Sequence, residues 1–181
     1  MALLEEKMEY ILPTSDEMIN REKQKREIAR TLDALMDEDV RFQGLEFYGL
    51  AGIGKSRVLN EAKAQCRHRG LAFAVIDFLS LGRKRQEERL SVLVRLCDQL
   101  DHHLSLEHLR GALTAAARSR GEKASERATV AFREELMSCL RQRPLVLLLD
   151  SAELCTLELL NWLGREMVAP LAEGPANFAV M

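Results

Sequence analysis

The chain has 181 residues, 47% of them hydrophobic and 30% charged, and its formal net charge is −2 at pH 7. This length and balance indicate one globular domain with a substantial hydrophobic core. The small negative charge argues against a protein held to nucleic acid by bulk charge, and the sequence has no apolar run that could span a bilayer.

The first part of the chain predicts an irregular start, a helix and a short strand. Residues 1–15 form the irregular lead-in, and their sequence lacks the basic and apolar segments of a secretory signal. Residues 16–36 predict a helix, since apolar residues recur at helical spacing between Ile28 and Met36. The stretch "DEDVRFQG" predicts a polar connection, and "LEFYG" predicts a short buried strand.

The middle of the chain predicts helices around a second strand. A helix is predicted over residues 55–69, with Gly70 in the position of a C-terminal cap. "LAFAVIDF" predicts a strand covered on both faces, because nearly every residue is apolar. A loop then precedes a helix whose apolar stripe runs from Leu90 to Leu104. Residues 106–125 predict a helix followed by a loop at "GEKASE", and residues 126–141 predict a further helix.

The last part predicts a strand, a helix and another strand. "PLVLLLD" is an apolar run that ends on the carboxylate of Asp150, and "ANFAVM" is the final strand. Between them, residues 155–168 predict a helix with Leu160, Leu163 and Met167 on one side. The order of elements predicts a three-layer α/β fold, in which helices cover both faces of a mostly parallel sheet. Ligands of such sheets bind beyond the carboxyl ends of the strands.

The segment from Gly49 to Ser56 matches the pattern G-x-x-x-x-G-K-[ST] in full, with a strand predicted before it and a helix after it. Glycines let successive backbone N–H groups converge on a phosphate chain, and the helix adds its positive N-terminal end. Lys55 is expected to reach the β- and γ-phosphates of ATP, and the Ser56 hydroxyl to ligate Mg²⁺. The predicted nucleotide-binding residues are Gly49, Leu50, Ala51, Gly52, Ile53, Gly54, Lys55, Ser56 and Arg57.

The acidic end of "PLVLLLD" supplies the remaining candidates. Asp150 is predicted to hold Mg²⁺ through water, together with Ser56. Hydrolysis also requires a group that orients or deprotonates the attacking water. A glutamate directly after Asp150 would indicate such a group, but Ser151 occupies that place. Glu153 is the candidate catalytic residue, with the alternative that it only places negative charge in the first turn of the next helix.

Three stretches resemble P-loop NTPases of the STAND class, the AAA+-related signalling ATPases that include the NB-ARC and NACHT modules. They are "GLAGIGKSRVL", "PLVLLLDSAE" and "INREKQKREIARTLDAL", the last of which resembles a lead helix with a Gly-Arg-Glu signature. Here the signature is Asn20-Arg21-Glu22, without the glycine. The resemblance covers residues 16–181. It implies that residues 19–22 contact the base or ribose, and that the strand after the acidic one lies between it and the phosphate-loop strand.

The resemblance is incomplete, because no arginine-bearing sensor, fifth strand or helical lid follows "ANFAVM". We therefore expect a P-loop domain over residues 16–181 that is truncated after its fourth strand. The family implies a Mg²⁺-dependent ADP/ATP switch, with assembly through the missing regions, and leaves hydrolysis by this chain undecided. The alternatives are an active AAA+ or origin-binding type of ATPase, a non-catalytic interaction scaffold and, ranked last, a small-molecule kinase.

The other polar residues give weaker signals. The cysteines at 66, 97, 139 and 155 have no paired spacing, which predicts reduced thiols in a cytoplasmic protein rather than disulfides or a zinc site. The basic run at residues 82–89 is typical of a solvated loop, with binding of phosphate or an acidic partner as the alternative. The histidines show no metal-ligand spacing.

Overall fold

The computed structural model describes residues 21–37, 42–47, 49–50, 52–81, 89–100, 102–119, 122–140, 143–174 and 177–181. The predicted lead-in at 1–15, the start of the lead helix, Ala51 and most of the basic run at 82–89 lie outside these residues. The domain boundary at residue 16 therefore stays a prediction.

The described residues form a four-stranded parallel sheet. Its strands are β1 (Phe42–Gly44), β2 (Ala72–Asp77), β3 (Leu145–Asp150) and β4 (Phe178–Val180). They lie in the order β1-β4-β3-β2, and every neighbouring pair is parallel. β4 therefore lies between the acidic strand β3 and β1, the strand that precedes the phosphate loop. This is the order that the family resemblance implied.

Helices connect the strands and pack on the sheet. They are α1 (Glu22–Met36), α2 (Lys55–Arg69), α3 (Arg89–Leu100), α4 (Glu107–Ser119), α5 (Glu122–Leu140), α6 (Leu157–Trp162) and α7 (Ala169–Glu173). A 3₁₀ turn at Ala152–Leu154 precedes α6, and a π-helical segment at Leu163–Val168 joins α6 to α7. Helix α2 has its predicted bounds, and Gly70 ends it with a left-handed φ of 68°.

Side chains of β3 alternate between two hydrophobic clusters, one on each face of the sheet. Leu145 and Leu147 pack with residues of α3 to α7, whereas Val146 and Leu148 pack with residues of α1 and α2. A strand covered on both faces needs apolar side chains at every position, which explains the unbroken apolar run. The two clusters and the sheet between them confirm the predicted three-layer fold.

The first strand begins earlier than predicted. β1 covers Phe42–Gly44, inside the stretch assigned to a polar connection, and not "LEFYG". Its only described partner is β4, which is itself short, and the ladder ends where the Leu45 N–H donates to the Val180 carbonyl at 2.9 Å. Leu45 and Phe47 continue beyond the ladder and pack against the cluster of α1 and α2. The sequence pattern of a buried strand therefore reflects side chains that are partly buried beyond the end of β1.

Helix α5 also begins before its predicted start at residue 126. The stretch predicted as a loop, "GEKASE", is helical from Glu122 onward. Ala124 packs against the larger core cluster, so this first turn contributes to the apolar contact between α5 and the rest of the domain. Glu, Lys and Ala are also good helix formers, so local propensity supports this turn together with the packing.

The helix predicted over 155–168 differs in its register and its shape. Leu160 is 36% exposed, whereas Leu163 and Met167 are buried, so the prediction that the three share one side is wrong for Leu160. The Ala169 N–H donates to the Gly164 carbonyl, five residues back. Pro170 has no N–H and its ring clashes with a regular preceding turn, and the wider π-helical turn relieves this conflict. Leu159 and Trp162 are also buried, and they complete the face that packs on the core.

No helix in the described part of the chain is both long and apolar enough to cross a membrane, and the same residues contain no cluster of metal-ligating side chains. All four cysteines are free thiols. Burial raises the pKa of Cys66 to about 12, against a small opposing effect of the Arg69 charge, so this thiol is protonated at neutral pH.

Replacing Phe132 by alanine should strongly destabilise the fold, because its side chain is fully buried in the larger cluster. The expected loss in the free energy of unfolding is about 3–5 kcal/mol. Val130 lies on the same helix and is 40% exposed, so Val130→Ala should change stability by less than about 0.5 kcal/mol. Urea denaturation followed by circular dichroism measures both, and equal losses would contradict the assigned core.

Candidate functional site

The carboxyl ends of β1 and β3 meet at one rim of the parallel sheet, as the sequence predicted. At this rim a hydrogen bond of 3.0 Å joins α2 to the end of β3, since the Ser56 hydroxyl donates to Asp150 Oδ1. Ser56 lies in the first turn of α2, and Asp150 is the last residue of β3. Two residues that are far apart in sequence therefore share one polar site.

The phosphate loop takes the tight course for which glycine is required. Gly52 and Gly54 have φ values of 81° and 95°, which side-chain-bearing residues rarely adopt. Gly49 is needed for a different reason: a Cβ atom there would lie 2.8 Å from Cγ2 of Ile53, closer than packing allows. The loop therefore folds back on itself, and its described residues run directly into α2.

Lys55 closes the loop by reaching back to its beginning. Its ammonium donates hydrogen bonds to the carbonyls of Gly49, at 3.0 Å, and of Leu50, at 3.4 Å. An ammonium has three donors, and the remaining one faces no hydrogen-bond partner among the described residues. Glu153 Oε1 lies 3.9 Å from the Lys55 nitrogen, and its side chain is 62% exposed, so this ion pair is weak.

The first turn of α2 leaves backbone donors at the same rim. Its first helical hydrogen bond within the described residues runs from the Val58 N–H to the Gly54 carbonyl at 3.2 Å. The amides of Lys55, Ser56 and Arg57 precede that bond and have no acceptor in the described part of the chain. Converging N–H groups and a positive helix end can together hold an anion. The Arg57 side chain is exposed and forms no ion pair there.

The end of β3 is fixed from a neighbouring strand. The Asp150 carbonyl accepts a hydrogen bond of 3.1 Å from the Phe78 N–H, directly after β2. Ser151 then takes a left-handed conformation, with φ of 58° and ψ of 35°, and starts the 3₁₀ turn that carries Glu153. Cys155 follows, and its pKa is raised to about 12, first by burial and second by the Glu153 charge. This thiol is protonated at neutral pH and is no nucleophile.

One contact of the site was not foreseen in the sequence. The Arg21 guanidinium, at the start of α1, donates a hydrogen bond to the Ile53 carbonyl in the phosphate loop. Both residues border a cavity of about 300 Å³ between α1 and the end of β1, which Phe47 and Lys55 also line. The family signature had marked residues 19–22 as base or ribose contacts, but nothing in the sequence pointed to a bond with the loop backbone.

Comparison with known proteins gives one result. A family model described as an AAA ATPase domain matches residues 17–173. No curated protein and no solved structure matches the chain significantly.

Replacing Ser151 by valine should destabilise the protein by about 1–2 kcal/mol, because a β-branched residue is strained at positive φ. Asparagine tolerates this conformation, so Ser151→Asn should stay within about 0.5 kcal/mol of the wild type. Urea denaturation of the two variants compares them directly. If valine and asparagine are equally tolerated, Ser151 does not hold this conformation in solution.

Proposed function

The chain belongs to the AAA ATPase domain family, and on that basis we propose that it binds ATP and ADP with Mg²⁺ and acts as a nucleotide-dependent regulatory switch. Nucleotide binding of the ATPase type is the property of the family. The observation that carries the proposal for this chain is the hydrogen bond between Ser56 and Asp150, since it joins the phosphate loop to the acidic strand end.

The loop supplies the groups that a polyphosphate needs. The N–H groups at the start of α2 and the Lys55 ammonium are hydrogen-bond donors on one rim, and the lysine also carries a full positive charge. In the proposed complex, Lys55 bonds the β- and γ-phosphates, and the amides of Gly54, Lys55 and Ser56 surround the same oxygens. Arg57 is assigned to this set from its position in the motif.

The residues present also fit Mg²⁺. A hydroxyl and a carboxylate, 3.0 Å apart at Ser56 and Asp150, are the hard oxygen ligands that this ion prefers. We assign Ser56 as a direct ligand and Asp150 as a ligand through water. When bound, the ion would neutralise phosphate charge. Asp150 and Glu153 would otherwise repel a nucleotide at this rim, so binding is expected to depend on the divalent ion.

The regulatory role rests on the resemblance to the STAND class and on Ser151. Because Ser151 occupies the place where a catalytic glutamate would follow Asp150, the site is better equipped for binding than for turnover. A switch then operates through the γ-phosphate: ATP and ADP stabilise different conformations only if that group makes contacts of its own. Assembly with other chains and a cytoplasmic location belong to the same proposal.

An active ATPase is the second candidate function, and the position of Glu153 favours it. Its carboxylate lies 3.9 Å from the Lys55 nitrogen and is exposed to solvent, so it can contact a water molecule beside the phosphates. In that reaction, Glu153 accepts a proton from the attacking water, or orients it, while Lys55 stabilises the negative charge of the transferred phosphoryl group.

Replacing Lys55 by alanine should weaken the binding of ATP and ADP roughly 10- to 100-fold, because charge-assisted hydrogen bonds to phosphate are lost. Isothermal titration calorimetry in the presence of Mg²⁺ measures both constants. Lys63→Ala removes the same charge from a later turn of α2 and should leave affinity within about twofold. Equal affinity of Lys55→Ala and wild type would reject the phosphate-loop proposal.

Replacing Glu153 by glutamine should lower phosphate release from ATP by about 100-fold or more, since a positioned acid–base group typically contributes that much. Binding should change little, because the ion pair with Lys55 is exposed. Glu158→Gln, an exposed neighbour that pairs with Arg89, serves as the control. A rate that Glu153→Gln leaves unchanged would remove this residue from the mechanism, and a wild type without turnover would reject the ATPase candidate alone.

A further inference from the structure

Arg21 connects the phosphate loop to the rest of the fold. Within the described residues from Gly49 to Gly54, the other backbone carbonyls that accept hydrogen bonds do so from Lys55, Ile53 or Val58, which belong to the loop or to the helix that continues it. The Ile53 carbonyl is different, because its donor is the guanidinium of Arg21 on α1. The conformation of the loop's middle is therefore coupled to another element.

The start of α1, from which Arg21 makes this contact, has a fixed position in the fold. The Arg21 carbonyl accepts the hydrogen bond of the Lys25 N–H at 3.0 Å, so Arg21 is the N-cap of the helix. Farther along α1, Ile28, Leu32 and Leu35 are fully buried against the sheet. Burial of three large apolar side chains fixes the helix, and the helix in turn limits where the guanidinium can lie.

Because of the geometry of a peptide group, the contact with the Ile53 carbonyl also sets the direction of the Gly54 N–H. The peptide that joins Ile53 to Gly54 is trans, so the Ile53 carbonyl and the Gly54 N–H point in opposite directions. Since Arg21 holds the carbonyl toward α1, the Gly54 N–H must point away from α1. That N–H donates to no acceptor within the described part of the chain. Gly54, with its φ of 95°, is free to rotate unless something fixes this peptide.

We infer that Arg21 is a positioning residue, which orients the Gly54 amide toward the phosphates by holding the Ile53 carbonyl. The inference rests on the proposed nucleotide binding and names the residue that prepares the loop for it. Arg21 acts on the phosphate chain through the loop backbone, and it does not need to touch the base or the ribose. A preformed donor lowers the ordering cost of binding, and this is the source of its contribution to affinity.

Three ligands separate this role from a direct contact with the nucleoside: ADP has both a nucleoside and phosphates, inorganic tripolyphosphate has only phosphates, and adenosine has no phosphate. If Arg21 acts through the loop, Arg21→Ala should weaken the binding of ADP and of inorganic tripolyphosphate by the same factor. That factor is roughly tenfold, which is the effect of one charge-assisted hydrogen bond. Adenosine binding should not change. Calorimetry on the whole chain, with Mg²⁺ and at fixed salt, gives the three values.

Two further variants separate the hydrogen bond from its charge. Lys23 borders the same cavity, so Lys23→Ala removes one positive charge nearby without removing the bond to Ile53, and it should change affinity by less than about twofold. Arg21→Lys keeps a cationic donor, and it should recover most of the affinity, to within about threefold of wild type. Thermal unfolding without ligand checks that each variant folds.

The outcomes distinguish the inference about Arg21 from the proposed nucleotide binding on which it rests. Loss of ADP binding with unchanged tripolyphosphate binding would overturn the positioning role and assign Arg21 to the nucleoside. Equal losses in Lys23→Ala and Arg21→Ala would overturn it in favour of a general charge effect. If wild type binds none of the phosphate ligands, the proposed function itself fails. If Lys55→Ala loses affinity while Arg21→Ala does not, only the inference about Arg21 fails.

Discussion

The burial of β3 on both faces is the constraint on which the rest of the structure depends. Its side chains alternate between two helical layers, and it pairs with β2 on one side and β4 on the other. A strand held from four directions has no freedom to shift, so its last residue has a fixed position. That residue is Asp150, and its hydrogen bond from Ser56 also fixes the position of the start of α2. Polar chemistry at the rim is therefore positioned by apolar packing beneath it.

The charges at this rim are mixed, and their balance determines what can bind there. Lys55 and Arg21 are cationic, whereas Asp150 and Glu153 are carboxylates within the same small region. A polyanion alone would be attracted by the first pair and repelled by the second. Ser56 and Asp150 would hold a divalent cation, whose charge would offset that repulsion. The same arrangement explains why a chain with a net charge of only −2 can be expected to bind a highly charged ligand.

Local patterns predicted most of the fold and the shared rim of Ser56 and Asp150, while pairing and long-range contacts limited the rest. The bounds of α2 were correct because their signals, glycines and an apolar stripe, have direct physical meaning, whereas the order of strands came from the family resemblance. β1 was misplaced because strand bounds depend on a partner, here the short β4, that the local sequence does not reveal. Arg21 was marked for another role, since a bond to a backbone carbonyl leaves no trace in sequence.

The position of Arg21 has a consequence for how a bound ligand acts on the fold. The far end of α1 is also fastened, because the Asn177 amide donates to the Leu35 carbonyl at 3.0 Å, just before β4. α1 is therefore joined to the phosphate loop at its first turn and to the central sheet at its last. A ligand that rotates the peptide between Ile53 and Gly54 must break the Arg21 hydrogen bond, change the Arg21 side-chain rotamer or move the start of α1 with it. Buried contacts of Ile28 and Leu32 oppose the movement, so the loop resists deformation for as long as α1 stays packed.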